Sequence, residues 1–132
     1  MKLNVMFTIT AVFLILVGIL SLLGPVLAPG ALASAGILDA TARFNSMLAG
    51  GGWLALGVIA WLVRNAEPSK TRDSLVFGYT LLFGLLAVVS LYGITLSDMP
   101  SHASSWVGAL IWALLAVGLF IAGRASMSTS TS

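Results

Sequence analysis

Between Phe44 and Val63 the chain runs 20 residues without a charged side chain, with Arg43 before the run and Arg64 after it. As a helix rising about 1.5 Å per residue, such a run crosses a bilayer core of roughly 30 Å. Three more runs share the property: Val5 to Leu23, Ser74 to Ser97 and Ala103 to Gly123. The charged residues sit between the runs, so the pattern predicts four membrane-spanning helices.

Composition agrees with that pattern. Of 132 residues, 59% are hydrophobic and 8% are charged, against about 25% charged in soluble domains. The length suits one domain, residues 1–124, with spans at about 4–24, 40–64, 72–97 and 102–123. Residues 125–132 read as a flexible tail rich in Ser and Thr. The net charge of +2 does not point to nucleic acid, because the six basic residues lie at span ends. Cysteine is absent, which excludes disulfides and thiolate metal sites.

Several breaks punctuate the chain. Val5–Leu23 is longer than the roughly 7–15 apolar residues of a secretory signal, so it reads as a span. Gly24-Pro25 and Pro29-Gly30 are expected to end the first helix, since proline lacks the amide donor. Asp39 or Thr41 is expected to cap the second helix and Ser69 or Thr71 the third. The short polar stretch 65–73 makes the second and third helices antiparallel neighbours. Lys2, Arg64, Lys70, Arg72 and Arg124 fall on one side and only Arg43 on the other. By the positive-inside rule both termini are cytoplasmic, in a plasma (inner) membrane.

Candidate chemistry is sparse. Asp39, Glu67, Asp73 and Asp98 all lie in loops or first helical turns, away from the mid-membrane position that proton-coupled carriers use. Small four-helix multidrug exporters are the natural comparison by size, and the acid their first helix uses is missing here. No catalytic and no metal-binding set is expected. His102, the single histidine, is a candidate axial ligand for a pigment or haem and otherwise a capping or interfacial side chain. Asp39 and Arg43 have the i, i+4 spacing that puts both on one helix face. They form either an interfacial ion pair touching lipid phosphate or an anion site at the bundle mouth.

Small residues mark expected helix contacts. Gly50, Gly51 and Gly52 form the centre of one, with the stripe Ala42, Ser46 and Gly50. Thr80, Gly84 and Ala87 make a second stripe, and Ala109, Ala113 and Ala116 a third. Trp61 and Trp106 suit interfacial belts. Trp53 and Trp112 lie deeper, as core residues or as contacts for a partner subunit, quinone or pigment.

Arg43 with Ala49-Gly-Gly-Gly-Trp-Leu-Ala-Leu-Gly57 and Trp61 resembles the second helix of small bacterial four-helix membrane proteins of unknown function, loosely related to the DoxX-like group. The resemblance covers about residues 39–120 in span order. It implies a four-helix membrane bundle and assigns no activity; the quinone-linked oxidation associated with some DoxX-like proteins finds no transferable residue here.

The expected fold is all-α, a four-span antiparallel transmembrane bundle. The expected role is a non-catalytic accessory or structural subunit of a larger membrane complex, with a membrane-protein partner and no cofactor. The alternative is an independent module that binds a lipid, quinone or other hydrophobic ligand.

Overall fold

The computed structural model describes residues 2–27, 40–95 and 103–128. These residues are all-α. Four helices follow one another: α1, Leu3–Leu27; α2, Ala40–Val63; α3, Lys70–Thr95; and α4, Ala103–Ser128. At 24 to 26 residues each, they are about 36–39 Å long. All four are long and apolar enough to cross a membrane.

Apolar side chains cover much of their outer surface. Leu20, Leu62 and Phe77 are 69%, 72% and 68% exposed, which suits contact with lipid rather than water. Two helix hydroxyls, those of Ser74 and Thr95, turn back to the backbone. Ser74 Oγ donates to the Lys70 carbonyl at 2.8 Å and Thr95 Oγ1 to the Leu91 carbonyl at 2.7 Å, leaving neither group unpaired.

Two helix boundaries differ from expectation. α1 continues through Gly24 and Pro25 to Leu27. Proline so near a helix end removes one intrahelical bond, to the Ser21 carbonyl, and little helix follows that must be realigned. At the other end of the chain, α4 runs past Arg124 to Ser128. Ser126 Oγ donates to the Gly123 carbonyl at 2.8 Å, within the helical stretch beyond Arg124. The start of α3 is capped by Ser69, whose Oγ accepts from the Arg72 amide at 3.2 Å. That satisfies an amide which a helix start otherwise leaves open.

The chain divides into two compact units. The first, Phe7–Arg64, holds most of α1 and all of α2. These helices run antiparallel, because partners ascend on α1 as they descend on α2: Ala11 and Ile15 meet Gly57, Gly18 meets Leu54, and Ser21 and Leu22 meet Gly50. The approach is backbone to backbone. A Cβ on Gly18 would lie 2.6 Å from the Leu54 nitrogen, and one on Gly50 would lie 2.9 Å from the Leu22 nitrogen. In lipid, where apolar burial gives little drive for association, such closeness supplies the dispersion contacts that hold helices together.

The glycine cluster on α2 therefore splits. Gly50 lies in the seam, whereas a Cβ on Gly51 or Gly52 would meet nothing within 4 Å. Consecutive helical residues point about 100° apart, so three glycines in a row cannot all face one neighbour. The seam continues through Leu54 and Gly57, the i+4 and i+7 positions, rather than back through Ala42, which is exposed.

The second unit, Asn65–Ser132 with Met1–Met6, holds α3 and α4. On α3, Val76, Tyr79, Phe83 and Ala87 are buried at spacings of three and four that mark one helical face. On α4, Ala109, Ala116, Leu119 and Ala122 are buried, while Ala113 is only half-buried. These helices are also antiparallel. The Phe83 and Trp112 rings stack with centroids 5.7 Å apart and planes at 12°. Nearer the chain end, Arg72 Nη2 donates to Ser126 Oγ at 3.4 Å, and a Cβ on Gly123 would press on Val76.

Candidate functional site

The antiparallel pairing of α3 and α4 brings the first turn of one beside the last turns of the other. A groove of about 460 Å³ opens there, within the usual range of small-molecule sites. Its wall is almost wholly apolar: Phe77, Leu81, Leu85 and Val88 of α3 line it, with Phe120 of α4. Val76, Thr80 and Gly84 line it as well. Positions 80, 84 and 88 lie four apart and positions 77, 81 and 85 likewise, so one broad face of α3 supplies the lining.

Gly84 was expected at a helix contact. A Cβ there would instead meet nothing within 4 Å, and the missing side chain helps to open the groove. Thr80 Oγ1, on the same face, is buried and has no hydrogen-bond partner.

Two charges of opposite sign stand in the lining, Asp73 and Arg124. Asp73 lies in the first turn of α3, where the helix dipole favours an anion. Its side chain is 38% exposed, and Arg72 Nε stands 3.9 Å from its Oδ1. Arg72 is otherwise directed elsewhere, to Ser126 Oγ and to the Ala66 carbonyl, each at 3.4 Å. The Arg124 guanidinium lies over the Phe120 ring, 5.4 Å from its centroid, within cation–π range. The groove thus pairs an apolar channel with one acid and one base.

A smaller hollow of about 260 Å³ lies in the other unit, against Val12, Ile15, Leu16, Val58 and Trp61. It carries no charged lining residue. Beside it, Arg64 turns back over Trp61, 3.6 Å from the ring centroid, and its Nη1 donates to the Trp61 carbonyl at 2.7 Å. That cation closes the C-terminal end of α2, where helix carbonyls lack partners.

Of the residues singled out from sequence, Arg43 and Trp53 belong to the α1–α2 unit and Trp112 to the α3–α4 unit. Asp39 and His102 lie outside the described residues, as does Asp98. Arg43 is half-buried and makes an interaction of its own. Trp53 is half-buried and engaged, and Trp112 stacks on Phe83 inside its hairpin. Among the described residues no group of three His, Cys, Asp or Glu side chains is placed to hold a metal ion.

Sequence reasoning passed over Asp73, Arg124 and Phe120 as a set. The available signal was positional: an antiparallel hairpin must bring an acid at the start of α3 near a base at the end of α4. Gly18 and Gly57 were also passed over, although each sits a helical repeat from another small seam residue. Comparison with family models, with curated proteins and with solved structures finds no match to this chain.

Proposed function

We propose that this chain is a multi-pass membrane module that holds a hydrophobic ligand drawn from the bilayer in the α3–α4 groove. The observation that carries the reading is the groove itself, an apolar channel along α3 with Asp73 and Arg124 among its lining residues. Ligand sites combine predominantly apolar walls with a few polar groups that fix orientation. This one has that make-up.

The basic residues orient the module with both termini cytoplasmic. Reporters fused in the 97–103 connection and after Ser132 are expected on opposite sides of the membrane; both on one side would contradict the orientation. The plasma membrane is the proposed location.

Gly84→Leu tests the ligand reading. Gly84 lines the groove and a Cβ there meets nothing within 4 Å, so a larger side chain takes up groove space. Purified gently from native membranes, the wild-type protein is expected to show a bound hydrophobic molecule by native mass spectrometry. The variant is expected to retain at least tenfold less at an unchanged melting temperature. Equal retention by both would defeat the reading. Recovery of a stoichiometric membrane-protein partner, with no small ligand, would favour the accessory-subunit role, for which Trp53 and Trp112 are the candidate contacts.

A further inference from the structure

We infer that the occupant of the α3–α4 groove is a phospholipid with a zwitterionic, primary-ammonium headgroup, phosphatidylethanolamine. The inference rests on the groove's being a ligand site and adds which ligand it takes.

Length is the first argument. From Asp73 to Val88 the lining covers 15 steps of α3, or about 22 Å. A bilayer is about 40–45 Å thick with its headgroups, so one leaflet is roughly 20–22 Å deep. The lining therefore extends along one leaflet, from the polar end of the hairpin towards the midplane. That is the extent of a single phospholipid, with its acyl chain running beside Phe77, Leu81 and Leu85.

Charge is the second argument. Every phospholipid phosphate is a ligand for the planar, always-charged guanidinium of Arg124. Asp73 separates the headgroups. A primary ammonium donates hydrogen bonds to its carboxylate, with an exposed side chain to receive them. A choline headgroup has no N–H to donate. A glycerol headgroup brings a net negative lipid against the same carboxylate. One acid and one base at one end of an apolar groove match an ammonium and a phosphate on one headgroup.

The test uses the full chain in nanodiscs holding equal parts of phosphatidylethanolamine, phosphatidylcholine and phosphatidylglycerol with identical acyl chains. After mild extraction, the bound lipids are counted by native mass spectrometry. Phosphatidylethanolamine is expected to be enriched about tenfold over each of the others, the effect of one charge-assisted hydrogen bond. Asp73→Asn is expected to abolish that enrichment while total phospholipid stays bound, and Asp73→Glu to keep most of it. Arg124→Gln is expected to lower all three lipids together. Equal binding of the three headgroups, or a preference for phosphatidylglycerol, combined with loss of lipid in Gly84→Leu, would overturn the headgroup assignment and leave the groove as a lipid site. Unchanged lipid in Gly84→Leu would remove both.

Discussion

Gly18→Leu and Gly50→Leu are expected to break the α1–α2 pairing, each costing about 3 kcal/mol or more. Overpacking usually costs about 1–3 kcal/mol because side chains can shift aside. Here the atoms met are backbone or fixed to it: the Leu54 nitrogen for Gly18, and the Leu22 nitrogen and Ser21 Cβ for Gly50. Helices must move apart to admit the new side chain, and the seam's dispersion contacts are lost along its length. Gly51→Leu and Gly52→Leu provide the internal control, since both positions face open space. They are expected to leave the detergent melting temperature unchanged or slightly higher, because leucine favours helix over glycine. A similar loss at all four positions would contradict the seam.

Phe83→Ala is expected to destabilise the α3–α4 unit by roughly 3 kcal/mol, at the lower end of the cost for truncating a buried aromatic. Phe83 is fully buried, and its ring stacks on Trp112 and lies 6.1 Å, centroid to centroid, from Tyr79. Because lipid is as apolar as the side chain, most of the loss comes from the void and the missing ring contacts rather than from transfer to water. Phe77→Ala removes the same ring from a largely exposed position on the same helix and is expected to cost well under 1 kcal/mol. Thermal unfolding in one detergent compares the two directly. Equal destabilisation would show that burial, as assigned, does not decide the packing.

The all-α fold and its four spans were legible because charge-free runs are a one-dimensional property that lipid enforces on every helix. Helix ends were less legible. Pro25 and Arg124 read as stops, yet a proline near a helix end costs only one backbone bond and an arginine ends an apolar run without ending the helix. The choice among Gly50, Gly51 and Gly52 was not legible, because their identity is the same and only rotation about α2 separates them. The groove was hidden for a different reason. Asp73 and Arg124 are distant in sequence, and it is the antiparallel hairpin that places them in one lining, while Gly84 looks like any other small residue until its surroundings are known.

Photocrosslinking with a phospholipid that carries a diazirine near the middle of one acyl chain tests the central claim most directly. Labelled residues would be mapped by mass spectrometry in the membrane-embedded full chain. The account predicts saturable labelling centred on Leu81, Leu85 and Phe120, competed by unlabelled phospholipid and lost in Gly84→Leu. Labelling spread evenly over equally exposed residues at similar depth on α1 and α2, insensitive to competitor and to Gly84→Leu, would mean that lipid only bathes the helices and that the groove holds none.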